Sequence, residues 1–410
     1  MGAFPFLMNP ATPPAHTHPV TAASANPPPT RAAVERAADA LRNGRLVILP
    51  TETVYGVFAS GRSAEGLTAL GAAHPEDGPR ALPATWHAES TAAILDRLRI
   101  SAPLHRRLVA RLSPGPVRFV VVKTADEATA IRRALGVDAG VIDAPTDGGA
   151  EFWARVPDHP ITQSVLAQAA TVAIAARLSA LGLGDGRTLP SDVAERADAL
   201  GLAEWIDAGP TRLGKPSTTV RLTPDGSYLV THPGVYDERY IQKRAERTIL
   251  FVCTGNTCRS PMAEAIARDV VAKGRSPIPT RVISAGTSAM PGAFMSAEAK
   301  TALEEMGIDP GRHRSRLLSR ELLAEAELIF GMTVAHARAV AASDDAAAGR
   351  VQTLDPDGSD VQDPIGGPIE EYRQTARRLR DLIERRLASL DTPTPGDGST
   401  QSAQPSQGAR

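Results

Sequence analysis

Residues 253–260, Cys-Thr-Gly-Asn-Thr-Cys-Arg-Ser, set a thiol and a guanidinium five intervening positions apart, with a hydroxyl directly after the guanidinium. These groups suit nucleophilic displacement at phosphorus. A loop of that length wraps one phosphoryl group and returns the planar fork of Arg259 to two of its oxygens. Cys253, at the start of the loop, would lie under the loop's N–H groups, which favour thiolate over thiol and make it a nucleophile at neutral pH. Such a displacement also needs a proton for the leaving atom and later a base for water, two tasks that one carboxylic acid can perform. Asp355 and Asp363, each followed by Pro, are the candidates.

A cradle of this kind needs a strand before it and a helix N-terminus after it, so that loop amides and the unpaired amides of the first helical turn converge. The apolar, β-branched run 248–252 (TILFV) predicts the strand, and PMAEAI at 261–266 predicts a helix with Pro in its first turn. Downstream the pattern predicts strand 281–287, helix 296–306 ended by Gly307 and Pro310, helix 319–326, strand 328–332, helix 333–342 and a basic amphipathic helix 369–390. Strand and helix alternate, which predicts a parallel sheet covered on both faces, with its site at the carboxyl end of the first strand.

At 410 residues the chain has length for two cores. Lys+Arg 45 balance Asp+Glu 46, so no global field points to nucleic acid or membrane. Both cysteines lie in the loop, which excludes a disulfide framework and a cysteine-based zinc site and points to a reducing compartment. The nine histidines are scattered, and no metal is expected. No apolar run reaches the roughly eighteen residues of a membrane span and no signal peptide is evident, so a cytoplasmic location is expected.

The 253–260 stretch resembles the phosphate-binding loop of the low-molecular-weight protein-tyrosine phosphatase family, with that family's Asn at Asn256 and its vicinal second cysteine at Cys258. The resemblance implies catalytic roles for Cys253, Arg259 and Asp363 and needs no cofactor. Asp363 is chosen because its Asp-Pro directly precedes the last helix, whereas 355–358 (DPDG) reads as a plain turn. By analogy Ser260 donates to the Cys253 sulfur, Asn256 ties the loop to itself, and Gly255 permits close approach of backbone to phosphate, with Thr254 completing the cradle. Cys258 is either a redox guard for Cys253 or a small buried filler. Thr257 stands where tyrosine-directed members carry an apolar residue, and Ile365-Gly366 where they carry aromatics. In these features the chain is similar to the protein-arginine phosphatase branch, which favours phosphoarginine over phosphotyrosine as substrate, although Ile365 replaces an aromatic there too.

Ahead of this domain, residues 1–30 are Pro- and Ala-rich without periodicity, a disordered leader, and 392–410 read as a disordered tail. Helix 31–42, ended by Asn43-Gly44, leads into an apolar strand and PTETVYG at 50–56. With LSPGP (112–116), ARVPDHP (154–160), DAGPT (207–211) and KPSTTV (215–220), this resembles the threonylcarbamoyl-AMP synthase, or YrdC-like, family over residues 31–245. The resemblance implies a twisted α/β domain with a concave basic face, ATP with magnesium, threonine and bicarbonate as reactants, and tRNA or other RNA as partner. Thr51, Tyr55, Arg155, Ser217 and Thr218 are its candidate ligand residues. Three departures bear on activity: residues 70–77 (LGAAHPED) lack the family's Lys-x-Arg pair, 172–177 (VAIAAR) lack its Ser-x-Asn, and His232 replaces an Arg. Arg80 and Arg177 are the available stand-ins. The expectation is therefore two α/β domains, 31–245 and 246–391, joined by a charged connector at 236–247. The second is a cysteine-dependent phosphatase of phosphorylated proteins. The first is a degenerate partner, an active synthase, or a module that binds RNA or nucleotide.

Overall fold

The computed structural model describes residues 30–72, 85–274 and 276–390. The leader up to residue 29, residues 73–77 of the departing segment, Arg80 and the tail lie outside the described residues. The chain forms two sheets. The first is mixed, built from β1 (Leu46–Leu49), β2 (Gly56–Ser60), β3 (Thr85–His87), β4 (Val117–Thr124), β5 (Asp143–Thr146), β6 (Gly149–Arg155), β7 (Ala173–Arg177), β8 (Leu202–Trp205), β9 (Thr218–Leu222) and β10 (Tyr228–His232). Its order is β10-β9-β4-β6-β3-β7-β2-β1-β8, with β5 paired to β6. The second sheet is parallel throughout, in the order β12-β11-β13-β14, with β11 Arg247–Cys253, β12 Thr280–Gly286, β13 Leu328–Gly331 and β14 Val351–Thr353.

The first helix, Arg31–Arg42, is capped by Thr30, the last residue assigned to the leader, whose hydroxyl accepts the Ala33 N–H. It ends before Gly44, which has φ 76°, and there a Cβ would lie 2.2 Å from Ser63 Oγ, so only glycine fits. Ala37, Ala38 and Leu41 on one stripe of that helix pack with Val47 and Leu49 of β1, while Leu46 and Ile48 face the other core.

The same sorting by alternate residues positions the thiol. All seven residues of β11 are buried. Ile249, Phe251 and Cys253 share a core with helix Arg259–Ala272 and with the last helix, Ile369–Leu390, whereas Leu250 and Val252 pack on the opposite face with Leu323, Val340 and Ala347. Each fully buried Leu, Ile or Phe contributes about 1.5–3 kcal/mol. A one-residue slip would turn every side chain of the strand over, so the register that aims Cys253 is strongly specified. The last helix buries Tyr372, Thr375, Ala376, Leu379, Leu382, Ile383 and Leu387, a helical stripe.

The connector forms a helix, Glu238–Ala245, capped by Asp237. Ile241 and Ala245 join the first core and Ile249 the second, so the chain passes between cores within a few residues. Arg107 of helix Pro103–Leu112 donates to the carbonyls of Ala245 and Glu246 and forks onto the Glu327 carboxylate at 2.7 and 2.5 Å, tying the first domain to the residue that precedes β13. Arg107 and Arg111 hold the Glu327 carboxyl below its ordinary range against the opposing effect of burial.

Candidate active site

Cys253 ends β11, the strand between β12 and β13, at the carboxyl edge of the parallel sheet. The loop turns over it and enters helix Arg259–Ala272. The Asn256 N–H donates to Cys253 Sγ over 3.3 Å, and Ser260 Oγ lies 3.0 Å from the same sulfur. The turn is made possible by Asn256 and not by Gly255: Asn256 has φ 55° and pays for that conformation with four polar contacts. Its Nδ2 donates to Ser260 Oγ and Ser284 Oγ, both at 2.9 Å, its Oδ1 accepts the Arg316 N–H, and its carbonyl accepts from His313 Nε2 at 2.8 Å. Ser284 in turn donates to Glu264. A Cβ at Gly255 would meet only Thr257 Oγ1, at an ordinary 3.5 Å, so the sterically demanding position of the loop lies one residue later than the sequence suggested. The N–H groups of Gly255, Thr257 and Cys258 donate to no acceptor among the described residues, which leaves them available to an anion.

Arg259 is buried at the base of the helix. One terminal nitrogen donates to the Val361 carbonyl at 3.2 Å and the other is paired with Asp363 Oδ2, while its Nε is buried without a partner. Asp363 is partly exposed and its other oxygen accepts the Ile365 N–H. Asp355 is elsewhere: it is shielded from solvent, accepts the Asp357 N–H and pairs with Arg378 of the last helix. Those contacts hold its carboxyl below the ordinary range. Cys258 is buried, and its sulfur lies near Ser296 Oγ (3.5 Å), Thr257 Oγ1 (3.7 Å) and Tyr372 Oη (3.8 Å). Thr254 is exposed and shares a 2.9 Å hydrogen bond with His336 Nε2, whose other nitrogen contacts Thr333 Oγ1 at 2.7 Å. Burial, then Arg259, pushes the His336 pKa down, so the ring is neutral at pH 7. Ile365 is exposed at the rim.

His313, His336, Ser284, Glu264 and Val361 escaped the sequence reading. His313, His336, Ser284 and Val361 come from segments that no spacing in the chain links to the loop, whereas Glu264 lies in the helix that directly follows it.

The five residues chosen in the first domain divide differently. Thr51 Oγ1 donates to the Val54 carbonyl and accepts the Thr53 and Val54 N–H groups, a closed turn. Tyr55 Oη donates to the Gly209 carbonyl and accepts from Ala208 N–H, and burial pushes its pKa up to about 12. Thr218 Oγ1 donates to the Tyr236 carbonyl and accepts from Gly234 and Tyr236 N–H groups. These three hydroxyls are saturated by the protein itself and pin loops. Arg155 is buried and donates to Glu52 and Thr53, leaving its Nε unpartnered; Ser217 is half-buried at the start of β9. A cluster the sequence did not reveal gathers Arg155 with Arg118, which stacks on Trp153 (4.5 Å to the ring centroid), and Arg177. Burial, followed by Arg177 and Arg155, pushes the Arg118 pKa down to about 10. Among the described residues no group of three or more His, Cys, Asp or Glu side chains is placed to hold a metal ion, and no helix is long and apolar enough to cross a membrane.

Comparison with known proteins adds to this geometry. Residues 248–394 match the family model described as low molecular weight phosphotyrosine protein phosphatase, and residues 39–234 match one described as telomere recombination, the Sua5/YciO/YrdC family. A protein-arginine-phosphatase of Geobacillus stearothermophilus is 40% identical over 149 residues, covering 35% of this chain and 96% of that protein. One of Bacillus subtilis is 41% identical over 144 residues, covering 34% and 93%. A probable low molecular weight protein-tyrosine-phosphatase of Ralstonia solanacearum is 36% identical over 150 residues, covering 36% and 94%.

Proposed function

The chain belongs to the low molecular weight phosphotyrosine protein phosphatase family, and from that premise we propose that it hydrolyses phosphorylated protein side chains through a phosphocysteine intermediate. As the phosphoryl group enters, Arg259 exchanges Asp363 for its equatorial oxygens, which the open loop amides also bind. The freed Asp363 takes up a proton from solvent, and Cys253 Sγ attacks phosphorus. The bond to the leaving atom breaks as the Asp363 carboxyl protonates it. Asp363, now a carboxylate, takes a proton from water, whose oxygen displaces Cys253 and releases orthophosphate. The observation that carries this reading is the sulfur held between the Asn256 N–H and Ser260 Oγ at the base of a bowl closed by the Arg259–Asp363 pair. Release of orthophosphate from an aryl phosphate by the full chain tests it, and absence of turnover would overturn it. On this reading the substrate is a phosphoprotein, and the two cysteines confined to the loop favour the reducing cytoplasm as its setting.

Phosphoarginine is the favoured substrate class. Thr257 offers a hydroxyl beside the bowl, and Ile365 with Gly366 supplies no ring to stack on a phenyl group, while a planar guanidinium needs polar partners more than a stacking wall. Phosphoarginine peptides are expected to be cleaved faster than matched phosphotyrosine peptides, and equal kcat/KM values for the pair would remove the preference.

A second activity in the first domain rests on Arg118, Arg155 and Arg177, whose mutual repulsion an anion such as a nucleotide phosphate would relieve. If that domain forms threonylcarbamoyl-AMP, the full chain releases pyrophosphate from ATP with magnesium, threonine and bicarbonate. If it releases none, the cluster serves binding of RNA or nucleotide alone.

A further inference from the structure

Five large hydrophobic side chains are exposed among the described residues, and four of them belong to segments attached to the loop or to Asp363: Met290 (80%), Phe294 (70%), Ile365 (67%) and Leu317 (49%). Exposed apolar groups on segments fastened to a binding loop point to a contact surface there. Met290 and Phe294 belong to the segment 287–296, which is fastened to the bowl's own backbone: Thr287, Ser288 and Ser296 N–H groups donate to the carbonyls of Cys253, Thr254 and Thr257. Beside it runs the segment 311–318, fastened through Arg316 N–H to Asn256 Oδ1 and through His313 to the Asn256 carbonyl. Ser315 joins the two segments, since its hydroxyl accepts the Ala293 N–H and donates to the Met290 carbonyl, and its backbone pairs with Gly292 and Ala293.

Their chemistry differs. Residues 287–296 carry no charge, whereas 311–318 carry Arg312, Arg314 and Arg316 and no carboxylate. The Arg314 guanidinium lies over the exposed Phe294 ring, its central carbon 3.4 Å from the centroid, and neither Arg312 nor Arg314 has a carboxylate partner among the described residues. Arg316 has only Glu264, at 4.0 Å. An apolar stripe and a cationic stripe therefore lie side by side, immobilised on the loop that holds the phosphoryl group.

Resting on the phosphatase reading, we infer that this face docks the segment of the phosphoprotein that flanks the phosphorylated residue, and that it selects acidic residues together with an apolar side chain. Carboxylates of that segment pair with Arg312 and Arg314, and its apolar side chain lies on Met290 and Phe294. The rigid fastening gives the docked segment a fixed distance from Cys253, so the contact acts on KM for protein substrates and leaves the chemistry at phosphorus alone.

The test uses the full chain and two peptides with the same central phosphorylated residue, one flanked by Glu and Leu and the other by Lys and Ser, each made with phosphoarginine and with phosphotyrosine. The acidic, apolar peptide is expected to have a kcat/KM about tenfold higher, falling as salt is raised, because exposed charge pairs steer and are screened. Arg314→Glu, Arg312→Glu and Phe294→Ser should each raise its KM and erode that preference, while kcat/KM for a small aryl phosphate stays within about twofold, because that substrate carries no flanking segment for these side chains to hold. Peptides cleaved equally well, or variants that keep the preference, would overturn the docking assignment even with aryl phosphate turnover intact. If aryl phosphate itself is not turned over, the phosphatase reading fails and the docking assignment with it. A native mass that halves in the variants would make the face a contact between two copies of the chain and also overturn it.

Discussion

Cys253→Ser is expected to lose aryl phosphatase activity by a factor on the order of 10⁴ or more, because a serine hydroxyl is not ionised at neutral pH and the nucleophile's contribution is lost as a unit. The substitution is nearly isosteric in a buried site whose surroundings are hydrogen-bond donors. Asn256 N–H and the Ser260 hydroxyl, which now hold the sulfur, can hold an oxygen. Thermal stability should therefore change little, and the variant should still bind orthophosphate through Arg259 and the loop amides. Phosphate release is the measurement, with a melting curve as control. Residual activity within tenfold of wild type, on a folded protein, would take the nucleophile's role from Cys253.

Asp363→Asn is expected to lower kcat by about 10² to 10⁴, the usual span for a positioned proton donor and acceptor. The size should depend on the leaving group. A nitrophenol leaves without help, so the first step proceeds and the loss falls on hydrolysis of phosphocysteine, giving a burst of nitrophenol equal to the enzyme present. An alkyl phosphate, which needs the proton, should lose more and show no burst. Asp355→Asn is the matched control. That carboxylate is shielded, accepts the Asp357 N–H and pairs with Arg378, so its loss should lower the melting temperature and spare kcat. The opposite outcome, with kcat lost in Asp355→Asn and retained in Asp363→Asn, would exchange their roles.

The parts of the site that lie within one turn of chain were readable before any coordinates. The run 248–252 alternates its side chains between two covered faces, Pro261 opens a helix, and residues 253–260 are short enough that strand and helix dictate where the loop goes. The first and last helices match their expected limits, Arg31–Arg42 and Ile369–Leu390, because each carries an apolar stripe that only a helix can bury on one side. Glycine at 255 drew attention as the permissive position, yet Asn256 takes the left-handed conformation. An asparagine whose amide, carbonyl and side chain all find partners offsets that strain, and those partners are up to sixty residues away. In the first domain, hydroxyls at Thr51, Tyr55 and Thr218 had the types a ligand site uses, and local sequence does not tell whether a hydroxyl faces solvent or a carbonyl of its own loop.

By itself the sequence determined a thiol and a guanidinium at the spacing of one phosphoryl group, between a strand and a helix, in a chain with two α/β halves. Period and spacing are local properties, written in neighbouring residues. Only the tertiary structure decided which Asp-Pro reaches Arg259, which arginines cluster in the first half, and that Phe294 stands against Arg314. Those relations depend on the closing of loops and on strand order, through which burial and hydrogen bonding act between residues far apart in the chain.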